Sequence, residues 1–136
     1  MKIALLGDIA FFGQYCLKNN NNLSSYFENV RNYLKKFDFV IGNLETPFVD
    51  KENPIFGKSA TIKSDPCNIE ILSSLGITHV TLANNHMGDH GVRAYELTKK
   101  LLSDHQIHWY GTEDKQVKIE YQGEKIALPV QLLTKK

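Results

Sequence analysis

A chain of 136 residues, 42% hydrophobic and 23% charged, has the size and make-up of one globular domain. Its 16 basic and 15 acidic residues leave a formal charge of +1, which excludes the electrostatic footprint of a nucleic-acid binder and a polybasic membrane anchor. No apolar run approaches the ~20 residues of a membrane-spanning helix.

Met1 to Leu6 opens like a signal peptide, but Gly7-Asp8 interrupts it before a signal core forms. Lys2–Leu6 therefore reads as a buried strand, with Asp8 just past its end. Without a leader the expected location is cytoplasmic. Cys16 and Cys67 form no C-x-x-C pair and read as free thiols of a reducing compartment. Residues 9–22 read as loop, ending in the tract Asn19 to Asn22. Ser25-Tyr26-Phe27-Glu28 has the form of a capping box. The apolar stripe Phe27, Val30, Leu34 and Phe37 then predicts a helix from Ser25 to Lys36. Phe37–Ile41 is expected as a second strand that stops at Gly42. Strand, helix and strand at this spacing form a βαβ unit with parallel strands.

Thr46-Pro47 breaks the pattern, and residues 48–64 are irregular. Asp65-Pro66 starts a helix, with Asp as N-cap and Pro in the first turn. Ile69, Leu72 and Leu75 give it a buried stripe, and Gly76 stops it. Ile77–Leu82 is the third expected strand. Ala94, Leu97, Leu101 and His105 predict a helix over Gly91–Asp104, and Ile107–Tyr110 a fourth strand. Val117–Tyr121 and Lys125–Val130 flank Gln122-Gly123, a hairpin turn. The alternation is that of an α/β protein.

Three strand ends carry chemistry: Leu6-Gly7-Asp8, Gly42-Asn43-Leu44-Glu45 and Leu82-Ala83-Asn84-Asn85-His86. The carboxyl edge of an open α/β sheet is where ligands bind. Asp and Glu offer hard oxygen ligands, Asn a neutral carbonyl and His a nitrogen. Brought together, they can hold one or two divalent cations for phosphoester hydrolysis. Singly, each has a plainer reading. Gly-Asp is a turn, Asn84-Asn85 turns the chain, and His86 enters a helix. His79 reads as a sheet-face residue and His90 as a helix cap. There is no G-x-S-x-G, P-loop or G-x-G-x-x-G.

Taken as a set, Leu6-Gly7-Asp8-Ile9, Gly42-Asn43-Leu44-Glu45-Thr46-Pro47 and Leu82-Ala83-Asn84-Asn85-His86, with Asp89 and Gly91, resemble the bacterial CapA, or poly-γ-glutamate capsule synthesis, family. The likeness extends from Lys2 to Gly111. That family is similar to the calcineurin-like metallophosphoesterases. The resemblance implies the first half of an αββα sandwich with mostly parallel strands. It implies a capsule-biosynthesis role, an association with the cell envelope, and poly-γ-glutamate or a phosphoester as substrate. Carried over by position, it implies Asp8, Asn43, Glu45 and Asn85 as ligands of a divalent metal (Mn, Zn or Fe). Asn85 and His86 become catalytic and Asp89 supports them. Asn43 stands where the metallophosphoesterases place a metal-bridging Asp. Ala10 replaces the His of their Asp-x-His, and their late histidine ligands have no counterpart here. The expectation is a single partial domain over residues 1–136, truncated at its C-terminal side, with an incomplete metal site. An uncovered sheet face that favours self-association follows. The alternative is an inactive remnant or an anion- or polymer-binding module of the same fold.

Overall fold

The computed structural model describes residues 1–20, 22–112 and 117–128. Four strands, β1 (Ile3–Ile9), β2 (Phe39–Leu44), β3 (His79–Thr81) and β4 (His108–Tyr110), form one sheet in sequence order. All neighbouring pairs are parallel. Crossovers that obey the right-handed rule and step the same way along a sheet put every connecting helix on one face. Those helices are α1 (Leu23–Tyr26), α2 (Glu28–Leu34), α3 (Ile69–Ser74) and α4 (Gly91–Asp104). Ala4, Val40, Leu44, Val80 and Leu82 meet Leu34, Ile69, Leu72 and Leu102 in one core beneath them. Val80, Leu72 and Leu102 are wholly buried. At about 1.5–3 kcal/mol for each such side chain, this face outweighs surface ion pairs worth roughly 0–1 kcal/mol. The layers are those of one α/β half of an αββα sandwich.

The opposite face is smaller. Ile3, Phe39, Ile41 and Tyr110 pack against Ile119, Ile126 and Leu128 of an antiparallel hairpin, β5 (Val117–Tyr121) and β6 (Glu124–Leu128). Gln122 and Gly123 both have positive φ, 51° and 82°, as a tight hairpin turn requires. The expected continuation of this strand into residues 129–136 lies outside the described residues. Among the described residues no helix is long and apolar enough to cross a membrane.

Several boundaries differ from the sequence expectation, each for a packing reason. Strand β1 runs through Gly7-Asp8 to Ile9 because it bulges rather than ends. Leu5 pairs with Ile41 and Asp8 with Asn43, so β1 uses three steps where β2 uses two. Strand β2 continues through Gly42, where the glycine makes room. A Cβ there would lie 2.5 Å from Cδ1 of Ile9. The capping box at Ser25 does not form. The helix starts earlier, at Leu23, and Ser25 sits inside it, its Oγ donating to the Asn22 carbonyl at 2.7 Å. The chain breaks at Phe27, whose ring packs edge-on against Phe11 at 5.7 Å. Val30 is consequently turned out and is 46% exposed. The Asp65 cap does form, accepting from the Cys67 N–H at 3.0 Å, and Gly76 stops α3 with φ 72°.

His79 is buried on the hairpin side, stacked on His108 at 4.9 Å and edge-on to Phe39 at 5.8 Å. Burial, helped by the neighbouring His108, lowers its pKa from 6.5 to about 4. Above the unfolded value the ring is neutral in both states and contributes nothing to pH dependence. As pH falls from 6.5 towards 4, the unfolded chain takes up a proton that the folded chain refuses, so stability falls. The loss approaches about 3 kcal/mol at ~1.4 kcal/mol per pH unit. Urea unfolding at pH near 7 and near 4.5 is expected to show this decline, and His79→Phe to flatten it. An unchanged slope in the variant would contradict the assignment.

Candidate functional site

The bulge in β1 decides where the first strand end points. Before it, Ile3 faces the hairpin and Ala4 the helices. The extra residue reverses that parity, so Asp8 falls beside Asn43 while Ile9 and Leu44 both enter the helix-side core. The Asn43 amide donates to Oδ1 of Asp8 at 2.7 Å. Asn84 continues the chain, its amide donating to Oδ1 of Asn43 at 3.0 Å and to the Leu44 carbonyl at 2.8 Å.

The direction of this chain follows from the backbone. Oδ1 of Asn84 accepts the N–H groups of His86 and Met87, both at 3.0 Å. Its nitrogen must therefore face β2 and donate. Asn43 must then offer its oxygen to Asn84 and its NH2 group to Asp8. Asn84 thus uses all four of its hydrogen-bonding positions. Gly111 lets the end of β4 close against the same corner. Its φ is 93°, and a Cβ there would lie 2.6 Å from Oγ1 of Thr81 and 2.8 Å from Cβ of Ala83. A cleft of about 350 Å³ lined by Leu82, Ala83, Asn84, Met87, Tyr95 and Thr112 opens beside it.

Of the six residues singled out by sequence, four fall into two pairs. Asp8 and Asn43 are bonded to each other. Glu45 is fixed through its backbone, N–H to the Ile9 carbonyl at 3.0 Å, and its carboxylate makes no hydrogen bond to the described residues. His86 and Asp89 form the second pair, with Nδ1 of His86 2.8 Å from Oδ2 of Asp89. Asn85 belongs to neither by its side chain, which is exposed. Its carbonyl accepts from Lys58 Nζ at 2.7 Å.

Asp89 is wholly buried. Oδ1 takes the Lys58 ammonium, and Oδ2 accepts the Ile62 N–H at 2.7 Å. Burial pushes this carboxyl up, but the bonds from Lys58, His86 and Ile62 outweigh it and hold it below the ordinary carboxylate value. The loop 49–64 is tied down at the same place. Ile55 N–H bonds the Asp89 carbonyl at 2.9 Å, and Asn53 N–H bonds Nδ1 of His90 at 3.3 Å. His90 is the N-cap residue of α4, as expected by position, but its ring is turned to this loop and makes no capping bond. Burial lowers its pKa.

Sequence reasoning missed two residues. Asn84 reads in sequence as a turn residue, and nothing local distinguishes it from Asn85. Lys58 sits in the irregular stretch 48–64, without periodicity to mark it.

A divalent cation needs several oxygen or nitrogen donors aimed at one point. Among the described residues no three His, Cys, Asp or Glu side chains are so grouped. Asn43 has its oxygen committed to Asn84, and Nδ1 of His86 is committed to Asp89. The described side chains do not by themselves fit a complete metal centre.

A parallel α/β sheet with polar side chains joined across the carboxyl ends of three strands defines an α/β domain with a polar strand edge, the edge at which open α/β sheets bind ligands. The chain belongs to the bacterial capsule synthesis protein PGA_cap family, whose profile matches residues 2–128. It is 30% identical over 131 residues to the capsule biosynthesis protein CapA of Bacillus anthracis, covering 90% of this chain and 32% of that protein. It is 26% identical over 129 residues to the PGA biosynthesis protein CapA of Bacillus subtilis (strain 168), covering 90% of this chain and 34% of that one. The chain thus spans about a third of the length of these curated relatives.

The two adjacent asparagines should behave very differently when truncated. Asn84→Ala removes four hydrogen bonds and strands partly buried partners, for a loss of about 2–4 kcal/mol. Asn85→Ala removes an exposed amide and should change stability by less than about 0.5 kcal/mol. Urea midpoints at constant slope measure both. Equal effects would contradict the bonding pattern.

Proposed function

We propose that this chain serves capsule or poly-γ-glutamate biosynthesis, and that its strand edge forms part of a metal-dependent phosphoester hydrolase site. The observation that carries the proposal is the hydrogen-bonded alignment Asp8–Asn43–Asn84, which joins the three strand ends beside the His86–Asp89 pair. Family membership and the two CapA relatives support the biosynthetic role. By the family resemblance Asp8, Asn43, Glu45 and Asn85 would be the donors, an incomplete set in which the Asn43 oxygen is held by Asn84 and the Asn85 side chain is turned to solvent. A divalent cation held there would supply water activation and charge neutralisation at a phosphoryl group.

The side chains of this chain then divide the remaining work. Asp8 and Glu45 place negative charge at the sheet edge. His86 takes and returns a proton at Nε2, since Nδ1 is held by Asp89. The neighbouring cleft accommodates the less polar part of a substrate.

A second reading is a binding module of the same fold that has lost catalysis. It is favoured by the amide of Asn43, locked between Asp8 and Asn84 where the resemblance implies a bridging carboxylate. Calorimetric titration with Mn²⁺ or Zn²⁺ separates the two. The hydrolase reading expects saturable binding that Asp8→Ala weakens by roughly tenfold or more. Heats indistinguishable from dilution, or equal in wild type and variant, contradict it and leave the binding module.

A further inference from the structure

The Lys58 side chain reaches from the loop 49–64 into the buried side of the Asn85–Asp89 turn. It is only 23% exposed and pairs with Asp89, which is 1% exposed. Its ammonium also donates to the Asn85 carbonyl at 2.7 Å and lies 3.2 Å from Nδ1 of His86. Lys58 therefore bonds to groups on both sides of His86 in sequence.

The proton positions around the imidazole follow from these contacts. Asp89 already accepts from two donors, the Lys58 ammonium and the Ile62 N–H. With an ammonium on one oxygen the carboxyl is ionised, and an ionised carboxylate can only accept. The 2.8 Å contact from Nδ1 of His86 to Oδ2 must then carry its hydrogen on Nδ1. An Nδ1–H cannot also accept from Lys58, so the 3.2 Å approach is a contact between neighbours and not a second hydrogen bond. Nε2 is left with the lone pair, and it has no hydrogen-bond partner among the described residues.

We propose that Lys58 is a positioning residue for His86: it keeps Asp89 an acceptor, fixes the imidazole as its Nδ1–H tautomer and so leaves the Nε2 lone pair for chemistry at the strand edge. The importance of this for catalysis rests on the hydrolase reading above. The tautomer itself does not, and it is measured without substrate or metal. Removing the ammonium leaves a wholly buried carboxylate without a cation, a costly arrangement that a carboxyl escapes by taking up a proton. A protonated Asp89 donates to Nδ1, and the ring proton moves to Nε2. That is the wrong tautomer for a base at Nε2, the defect that disables a Ser-His-Asp triad when its orienting carboxylate is replaced.

Long-range ¹H–¹⁵N correlation of the ¹⁵N-labelled chain, at a pH where the ring is neutral, identifies the protonated nitrogen of His86. Wild type is expected to show Nδ1–H. Lys58→Met is expected to move the proton to Nε2, and Lys58→Arg, which keeps a cation, to restore the wild-type pattern. An Nε2–H wild type overturns the proposal outright, whether or not any variant folds. So does a folded Lys58→Met chain that retains Nδ1–H. An Arg variant that matches the Met variant, with the remaining amide signals unmoved, also overturns it, because the charge would then not be the cause. Metal binding lost in calorimetry while the tautomer behaves as expected would remove the hydrolase reading and leave the role of Lys58 standing.

Discussion

One extra residue in β1 determines the geometry of the whole edge. A strand alternates its side chains between two faces, so a single inserted residue reverses everything after it. The bulge between Leu5 and Asp8 lets Ala4, Leu6 and Ile9 all join the helix-side core while Asp8 aligns with Asn43. A regular strand would bring Asp8 to the helix face and Ile9 to the other. The cost is local distortion of the ladder and a close approach of Ile9 to Gly42, which the glycine tolerates. The return is a carboxylate at the carboxyl edge, in reach of an amide on the neighbouring strand.

Two polar networks then share the turn after β3. Asn84 belongs to the outer one and ties the turn to β2. Asp89 belongs to the inner one and ties it to the loop 49–64. His86 lies between them, its N–H on Asn84 and its Nδ1 on Asp89. Both networks are saturated at their centres, as buried polar groups must be to avoid a desolvation penalty of about 1–3 kcal/mol per unmade bond. A saturated network is rigid, and rigidity holds a reacting nitrogen in place. It also explains why the described residues alone make a poor cation site, since the oxygens best placed for one already accept hydrogen bonds.

Much of the scaffold was legible because its signals are local. Asp65-Pro66, Gly76 and the Gln122-Gly123 turn act through their own backbone geometry, and α4 spans Gly91 to Asp104 as expected, although the stripe it buries is Ala94, Thr98 and Leu102 and not Ala94, Leu97, Leu101 and His105. Features that depend on distant partners were not legible. Ser25-Tyr26-Phe27-Glu28 matches a capping box, yet the chain breaks there because Phe27 is drawn to Phe11. Gly7-Asp8 reads as a strand end, and only the register with β2, some thirty-five residues on, reveals a bulge. The motifs mark Asp8, Asn43 with Glu45, and Asn85 with His86 as residues of three strand ends, and the structure sets these stretches side by side at the sheet edge. They could not show that Asn84 rather than Asn85 provides the cross-strand bonds, or that Lys58 arrives from an unpatterned loop.

The central claim is that a directional amide chain, Asp8–Asn43–Asn84, joins the three strand ends. The side-chain amide protons of Asn43 report on it from both sides, because one neighbour accepts from the group and the other donates to it. The account predicts that their NMR signals are shifted and slowed in exchange with water in the wild-type chain. It predicts further that Asp8→Ala moves them towards the values of a free amide, and that Asn84→Ala, which removes only the donor to the Asn43 oxygen, shifts them by less. Signals at free-amide positions in the wild type, or unmoved by both substitutions, would contradict it.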